Sequence, residues 1–375
     1  MERKRVPLGN YITEYSVRNR SGEDIPVYSV TNSQGFCTEY FDKEVASKDK
    51  TTYKIVPRGY FAYNPSRINV GSVDWQRCEG RVIVSPLYNV FSVSEKMEQQ
   101  YLFYFLKSNV GRQMIKAKAS GSVRDNLKMD MLKEMTIPER TIEEQKKCVA
   151  TLDALKTIIS LWEKELEKLD ELIKARFIEM FGSIHESTEY PYVAVKDLTD
   201  VISGGTPSRD RTEYWDGGTI PWVKTTELQN NVIIDVDEYI TEAGLAGSSA
   251  KLVPAGTVLV AMYGQGKTRG MTAYLDIEAT TNQACACILP SDKIDSVFLW
   301  KYFELSYDKL RSLAQGAGQP NLNGNMIKNF QVLVPPIEMQ NEFVSFVHQV
   351  DKSKFININI IPKGGFYNGD KFYIS

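Results

Sequence analysis

The 375-residue sequence is poor in the side chains on which many enzymes and metal sites depend. It has two histidines, His185 and His348, and five cysteines, none of which form a CxxC pair. Structural zinc sites need closely spaced Cys and His ligands, and acyl-transfer chemistry needs a base beside a Ser or Cys nucleophile. The composition argues against both, and it favours cysteines that are reduced and buried as small apolar side chains.

Long apolar runs are missing as well. No stretch of roughly 18 or more residues is free of polar side chains, and Met1 is followed by charged residues instead of a hydrophobic signal segment. We therefore expect a cytoplasmic protein. With 42% hydrophobic and 25% charged residues, a chain of this length is expected to fold into two globular domains.

A large excess of positive charge is also absent, and the charge is unevenly distributed. Residues 1–138 contain 21 Lys and Arg against 15 Asp and Glu, whereas residues 182–375 contain 16 against 22. The net charge of the whole chain is −2. An acidic second half argues against a strong nonspecific attraction to phosphate groups, so any nucleic-acid binding there has to depend on local loops.

What the sequence does contain is one long helical pattern, between Glu139 and Gly182. Apolar residues recur in it at alternating spacings of four and three, which is the period of a coiled-coil seam. The seam residues are Cys148, Leu152, Leu155, Ile159, Trp162, Leu166, Leu169 and Ile173. No Gly or Pro interrupts the stretch, so we predict a helix of about 40 residues and about 60 Å. Because the apolar stripe is narrow, we expect it to pack against a partner helix. The alternative is a long helix that lies on a globular core.

The segments on either side of this helix have similar sequences. Ile25-Pro26-Val27 corresponds to Ile220-Pro221-Trp222, and further short blocks recur at nearly the same offset. We therefore predict a tandem duplication. Each copy has short strand-like runs followed by a helix, predicted at residues 99–119 in the first copy and 297–314 in the second.

The duplication also predicts a second helix. At the same offset the seam of the long helix corresponds to Phe343, Val347 and Val350, after which Lys354 and Asn357 replace the apolar residues. The second helix is therefore expected to lose its seam after about one heptad. The sequence after Phe355 contains a proline and several glycines, and it predicts a β-like or disordered tail.

The stretch Val258–Thr268 is similar to a phosphate-binding loop, because it places Gly, Lys and Thr after a strand-like run. That motif requires a glycine where Ala261 stands, and the following residues do not predict a helix whose N-terminus could hold phosphate. The same loop suits DNA, because Lys267 and Arg269 supply positive charge beside polar side chains that can contact bases or sugars.

Other enzyme motifs are incomplete. Asn64-Pro65-Ser66-Arg67 has only half of the Asn-Pro-Pro-aromatic motif with which amino-methylating enzymes hold a target base. Neither half of the sequence opens with a dinucleotide or methyl-donor fingerprint. We therefore predict that the chain has no active site and no metal site of its own.

Three loops of the second copy are rich in small polar and amide residues: 203–208, 281–284 and 316–322. Asn and Gln side chains can bind adenine through two hydrogen bonds, although turn residues that cap strands are the alternative interpretation. The candidate DNA contacts in both copies are Asn64, Ser66, Arg67, Asn69, Ser72, Ser203, Thr206, Ser208, Lys224, Tyr263, Gln265, Lys267, Arg269, Asn282, Gln283, Gln319 and Asn321.

Together these motifs resemble the specificity subunits of type I restriction-modification systems. The run KARFIEMFG at residues 174–182 resembles the central conserved region of that family. The runs at 202–208, 214–222, 281–284 and 319–322 resemble its target-recognition domains. The resemblance covers residues 1–355.

The resemblance implies an α+β fold, in which two tandem target-recognition domains of mixed sheet plus helices are separated by a long coiled-coil helix pair. The implied boundaries are 1–138 for the first domain, 139–182 for the central conserved long helix, 183–335 for the second domain, 336–355 for a shortened second conserved helix and 356–375 for a divergent tail.

The resemblance also implies a noncatalytic subunit that recognises a split target in double-stranded DNA, with one domain for each half-site. Two methyltransferase subunits and the restriction (translocase and nuclease) subunits would dock on it. S-adenosylmethionine, ATP and Mg would be used by those partners, and no cofactor is expected on this chain.

Because the second helix is short, we also expect self-association through the exposed seam. Two alternatives stay open: the recognition subunit of a type II system that cuts on both sides of a split site, and a noncatalytic protein-binding scaffold.

Overall fold

The computed structural model describes residues 3–38, 49–119, 126–264, 266–314, 321–359, 365–368 and 371–374, with side chains described up to residue 354. The chain divides into two compact units, and the division falls within its longest helix. Unit 1 comprises residues 1–163 and 359–375, and unit 2 comprises residues 164–358.

Before the longest helix, the described residues of unit 1 form short strands and three helices. Its strands are β1 Arg5–Pro7, β2 Ile12–Glu14, β3 Ser29–Thr31, β4 Gly35–Cys37, β5 Lys54–Pro57, β6 Phe61–Tyr63, β7 Val73–Trp75, β8 Arg81–Val84, β9 Asn89–Val93 and β10 Thr136–Pro138. Its helices are α1 Gln99–Lys107, α2 Asn109–Ala119 and α3 Met129–Glu134. The main sheet is antiparallel, with strand order β2-β9-β6-β7. Phe61 and Phe91 stack within its core at 5.0 Å between ring centroids.

The long helix α4 Ile142–Phe181 leads into unit 2. The strands there are β11 Tyr192–Ala194, β12 Val201–Ser203, β13 Ile220–Val223, β14 Asn231–Ile233, β15 Tyr239–Ile240, β16 Val258–Ala261, β17 Thr272–Leu275, β18 Thr280–Thr281, β19 Cys285–Ile288 and β20 Gln331–Leu333. The helices are α5 Val195–Leu198, α6 Glu242–Ala246, α7 Ser296–Leu305, α8 Tyr307–Leu313, α9 Gly324–Lys328 and α10 Ile337–Asn359. The main sheet has the order β12-β19-β16-β17-β14, and β15-β13-β18 form a second sheet.

The strand order confirms the duplication. The order β12-β19-β16-β17 in unit 2 repeats the order β2-β9-β6-β7 in unit 1. Equivalent side chains also make equivalent bonds: Gln145 Oε1 accepts from the backbone N–H of Glu98 at 2.8 Å, and Gln340 Oε1 accepts from that of Asp295 at 2.9 Å. Unit 2 adds β14, which runs parallel to β17, so that its sheet is mixed.

The prediction of a single helix after the strands was wrong in both units, because a serine divides each helix in two. In unit 1 the break is at Ser108, whose hydroxyl donates to the Phe105 carbonyl and accepts from the Gly111 N–H. A Cβ at Gly111 would lie 2.1 Å from the Phe105 oxygen, so the sharp turn requires glycine there. In unit 2 the break falls at Ser306, between α7 and α8.

The last turns of α4 lie in the core of unit 2, beside α10. Phe177 contacts Phe343 at 5.5 Å between ring centroids. Arg176 bonds Glu342 at 2.7 Å, and Lys354 bonds Asp170 at 2.6 Å. Because residue numbers rise along one helix as they fall along the other, the two helices are antiparallel. They differ in length, with 40 residues in α4 and 23 in α10.

The predicted seam is buried only toward that end. The buried seam residues are Ile173, Phe343, Val347 and Val350; those partly buried are Cys148, Leu152, Ile159, Trp162, Leu166 and Leu169. Leu155 is 44% exposed, and its neighbours Ile158 and Leu161 are 41% and 58% exposed. The middle of α4 is therefore exposed. The alternative interpretation, in which the long helix lies on a globular core, does not hold there.

The tail predicted to be β-like contains two paired strands. They are β21 Gly365–Asn368 and β22 Lys371–Ile374, and their backbones pair antiparallel. None of the described helices combines the length and the apolar content that crossing a membrane requires.

Candidate nucleic-acid interface

In unit 2, the loops that carry most of the predicted contacts leave the main sheet at one edge. The registers that define this edge pair Ser203 with Ala286, Ala261 with Cys285, and Val260 with Thr272. The end of β12, the end of β16, the start of β17 and the start of β19 therefore lie side by side. Loops 204–208, 262–271 and 282–284 emerge there, and we call this set the edge loops of unit 2.

Hydrogen bonds join these loops to one another. The backbone bonds are Gly205 N–H to the Thr281 carbonyl at 2.9 Å, Met262 N–H to Ala284 at 2.8 Å, Asn282 N–H to Val223 at 3.0 Å, and Leu322 N–H to Met262 at 3.0 Å. The Thr206 hydroxyl also donates to the Gln283 side-chain oxygen. Residues that the sequence places far apart thus form one connected surface, and Asn321 is exposed next to it. Gln265 and Gln319 lie outside the described residues.

The two adjacent glycines of loop 204–208 are required by this close packing. A Cβ at Gly204 would lie 2.1 Å from the Thr281 hydroxyl oxygen, and a Cβ at Gly205 would lie 2.3 Å from the backbone nitrogen of Ala250. Real Cβ atoms do not approach other atoms so closely. Ser203 and Ser208, on either side of this segment, are exposed.

The β16–β17 loop presents charged and aromatic side chains from a fixed backbone. Tyr263 is 41% exposed, Lys267 is exposed and Arg269 is half-buried. Tyr307 donates from its hydroxyl to the Lys267 carbonyl at 2.8 Å. Arg311 donates from Nη1 to the Arg269 carbonyl at 2.9 Å and to that of Gly266 at 3.0 Å. Sequence reasoning missed this support from α8, because nothing in the local sequence pairs α8 with the loop.

The sequence left two interpretations of the amide side chains open, contact with DNA bases and capping of turns, and Asn282 and Gln283 differ in this respect. Asn282 Oδ1 accepts from the Ala284 N–H at 3.2 Å, as a turn-forming residue does. Gln283 is exposed at the edge, although its side-chain oxygen is bonded to Thr206. Gln283 is therefore better placed than Asn282 to contact a ligand.

Lys224 follows β13 of the second sheet, whose last residue, Val223, accepts from the Asn282 N–H at the start of loop 282–284, but carboxylates surround the Lys224 ammonium group. Its Nζ lies 3.0 Å from Glu238 and 3.4 Å from Asp237. The hydrogen bond to Glu238 is the main cause that raises the pKa of Lys224. Part of its positive charge is therefore already compensated within unit 2.

Unit 1 has an equivalent edge, formed where β6 ends and β7 and β9 begin. Tyr63 pairs with Val73 on one side and with Asn89 on the other, so loop 64–72 takes the place of the β16–β17 loop. Ser66 and Arg67 are exposed on this loop. The loop's backbone is held by Lys107, which donates from Nζ to the Gly71 carbonyl.

The other predicted residues of loop 64–72 bond within unit 1. Asn64 Oδ1 accepts from the Ser66 N–H at 3.1 Å, and Asn69 Oδ1 accepts from the Val70 N–H at 2.9 Å. Ser72 is 3% exposed and its hydroxyl donates to the Val30 carbonyl. The structure therefore does not support Ser72 as a surface contact; its bond anchors the base of the loop.

The duplicated units can be compared with known proteins. Residues 8–171 and 188–363 match the family model described as the type I restriction modification DNA specificity domain. The chain belongs to this family. Its two matched segments are called the first and second specificity domains below.

Curated relatives of these specificity domains are specificity subunits of type I restriction enzymes. The EcoR124I/EcoR124II specificity subunit of Escherichia coli is 23% identical over 217 residues, which cover 57% of this chain and 53% of the relative. The MjaIX specificity subunit of Methanocaldococcus jannaschii is 28% identical over 198 residues, which cover 51% of this chain and 41% of the relative. The chain thus spans about half the length of the curated relatives that it matches.

Solved structures show the same fold. A chain from a structure described as showing complex assembly and conformational transition of the type I R-M system gives a TM-score of 0.58 at 17% identity, over 95% of this chain and 93% of the other. The type I S subunit from M. genitalium gives 0.53 at 13% identity, over 96% and 92%. The expected fold of two tandem domains with mixed sheets and helices is therefore confirmed.

The second specificity domain also contains an aromatic and charged cluster that sequence reasoning missed. Trp222 donates from Nε1 to the Gly205 carbonyl, and Trp215 donates from Nε1 to the Ser208 carbonyl, both at 3.0 Å. The Arg209 guanidinium lies 3.6 Å from the centroid of the Trp215 ring. The run at 214–222 contains both tryptophans, but nothing in its local sequence indicates that their indoles hold loop 204–208.

Proposed function

We propose that this chain is the DNA-recognition subunit of a type I restriction-modification complex, in which each specificity domain recognises one half of a split duplex target. The observation that carries the proposal is the duplicated sheet edge. The loop between β6 and β7 presents exposed Arg67 in unit 1, and the loop between β16 and β17 presents exposed Lys267 in unit 2. In unit 2, segments 204–208 and 282–284 and residues 321–322 meet beside that loop. Asn, Gln, Arg and Lys are the side chains that bind base edges and phosphates.

The partners belong to the same proposal. Two methyltransferase subunits and the restriction subunits would dock on this chain and supply S-adenosylmethionine, ATP and Mg, which this chain would not bind itself. The described residues contain no group of three or more His, Cys, Asp and Glu side chains that could hold a metal ion. The complex would act in the cytoplasm, where its DNA is.

Mapping methylated adenines tests this function directly. The chain would be co-expressed with its methyltransferase subunits, and host DNA would be compared with DNA from cells that lack the chain. We expect methylation at a two-part sequence with a constant spacer, because each specificity domain binds its own half. If the methylated sites are the same in both cells, the proposal is wrong.

A DNA-binding measurement separates the proposal from the scaffold alternative. The assembled complex should bind duplex DNA with an affinity that falls as salt rises, because cations displaced from phosphates are released. A protein-binding scaffold would show no such binding. Cleavage on both sides of the methylated site would instead favour the type II alternative.

We also propose that a second copy of the chain covers the exposed middle of α4. Leu155, Ile158 and Leu161 are all more than two-fifths exposed there. Burying large apolar side chains contributes about 1.5 to 3 kcal/mol each, so a few layers of them would favour association.

A further inference from the structure

We propose that Arg209 is a specificity-determining DNA contact of the second specificity domain, with Glu238 and Trp215 as its positioning residues. The proposal rests on the function proposed above and names a residue within the same interface. The chemistry to be recognised is the pair of acceptors on the edge of a guanine, to which a guanidinium can donate two hydrogen bonds.

The position of Arg209 is the first support. It directly follows Ser208, whose carbonyl is bonded to the Trp215 indole at 3.0 Å. Its ion-pair partner Glu238 also bonds Lys224, which directly follows Val223, the residue whose carbonyl accepts from the Asn282 N–H of loop 282–284. Arg209 therefore lies beside the edge loops of unit 2.

The second support is that two neighbours fix the guanidinium while leaving it accessible. Its Cζ lies 3.6 Å from the Trp215 centroid and 4.9 Å from that of Trp222, and the two indoles meet edge to face at 5.0 Å. Glu238 Oε2 accepts from Nη1 at 2.5 Å. The side chain is still 52% exposed. A planar donor group held in this way loses little conformational freedom when it binds a ligand.

The charges around Arg209 favour a base edge over a phosphate. Arg209 and Lys224 are matched by two carboxylates, Glu238 and Asp237, so the cluster has little net charge. These carboxylates repel a phosphate group. The acceptors of a guanine edge are uncharged, and a guanidinium has further N–H donors besides the one that Glu238 accepts. The cluster is thus suited to selection among bases more than to general attraction of DNA.

The test uses the full chain assembled with its methyltransferase subunits and the two-part duplex that this complex selects from a random pool. Single base-pair changes are then made in each half-site, and dissociation constants are measured at two salt concentrations. In R209K the charge stays but the planar donor pair is lost. We expect discrimination at one base pair of one half-site to fall about 10- to 100-fold, with the salt dependence unchanged.

Arg211 provides a matched control two positions away. It is exposed, and its Nη1 donates to the Tyr214 hydroxyl at 2.8 Å. R211K should leave discrimination at both half-sites unchanged. Discrimination at the half-site bound by the first specificity domain also serves as an internal check that the R209K complex is folded and assembled.

Removing the carboxylate tests the role of Glu238. In E238Q the cations Arg209 and Lys224 lose a shared partner, so we expect tighter binding to unrelated duplexes, a steeper salt dependence and a smaller specific-to-nonspecific ratio. A merely structural role would weaken all binding together.

Two results would overturn the assignment. In one, R209K discriminates among bases as the wild-type complex does; in the other, it weakens binding to all duplexes equally, as the loss of a phosphate contact would. Failure of the proposed function itself has a different signature, because the wild-type complex would then select no two-part sequence.

Discussion

Gly205 shows how much of the interface depends on single atoms. Its N–H bonds the Thr281 carbonyl, and its own carbonyl accepts from the Trp222 indole. The segment at Ser249 and Ala250 leaves no room for a side chain, since a Cβ would come within 2.3 Å of the Ala250 nitrogen. Loop 204–208 can approach its neighbours this closely only because residue 205 is a glycine.

We therefore expect Gly205→Ala to lower the free energy of unfolding by about 1 to 3 kcal/mol, as overpacking does. Denaturant unfolding of the purified chain measures this change. Gly80→Ala is the control, because a Cβ at Gly80 would meet nothing within 4 Å. Equal stabilities for the two variants would contradict the close packing at Gly205.

The ion pairs of Glu238 predict a pH dependence of stability. The hydrogen bond from Arg209, followed by that from Lys224, holds the pKa of Glu238 below its ordinary value of 4.5. A carboxyl with a lowered pKa stabilises the folded state above its unfolded-state pKa, and this contribution is lost as the pH falls through the lowered value. The melting temperature of E238Q should therefore fall less than that of the wild type below pH 4.5.

The measurement is a thermal melt between neutral pH and about pH 3, the range in which carboxylates titrate. The two melting temperatures should converge at the acidic end. Parallel curves across the whole range would show that the pairs of Glu238 add nothing to stability.

At the scale of elements, the long helix differs along its length. Its last turns are anchored by Ile173, Phe177 and Phe181 in the core of unit 2, whereas Leu155 in the middle is exposed. The antiparallel partner α10 ends after 23 residues. A coiled-coil stripe that is longer than its partner leaves apolar side chains in water.

We expect the chain by itself to form a dimer at micromolar concentration, and Leu155→Lys to make it monomeric, because a charged side chain would replace an apolar one in the shared seam. Sedimentation velocity measures both states. Ile178→Lys is the control, since Ile178 is equally exposed at 45% on the same helix but lies outside the seam. A wild-type chain that sediments as a monomer would contradict the proposed self-association through α4.

At the scale of the whole molecule, the duplication predicts that the two specificity domains contribute separately to target choice. Arg67 lies on the edge loop of the first domain, and Lys267 and Arg269 lie on that of the second. Substitutions at sites that share no partners usually have additive effects on free energy.

Arg67→Ala should therefore weaken binding at one half-site, and the double change Lys267→Ala with Arg269→Ala should weaken it at the other. Competition between duplexes with one altered half-site measures each effect, and the combined variant should show their sum. Lys293→Ala is the control, because Lys293 is exposed beyond the opposite end of β19. Binding and methylation that are unchanged in the double variant would count against the predicted contacts at Lys267 and Arg269.

The sequence alone determined the duplication, the long helix and the family, because these depend on periodic or repeated patterns along the chain. The seam from Leu152 to Ile173 follows from regular spacing, and the shortened second helix follows from Lys354 and Asn357 at seam positions.

Only the tertiary structure decided which of the predicted residues meet and which face outward. Thr206 and Gln283 are 77 positions apart and become bonded because β12 and β19 pair in one register. Ser72 and Arg67 lie on the same loop, but Ser72 is buried with its hydroxyl bonded to the Val30 carbonyl, whereas Arg67 is exposed. Whether a residue is bonded, buried or exposed depends here on hydrogen bonds between segments that are far apart in the sequence, and the spacing of residues along the chain does not predict those bonds.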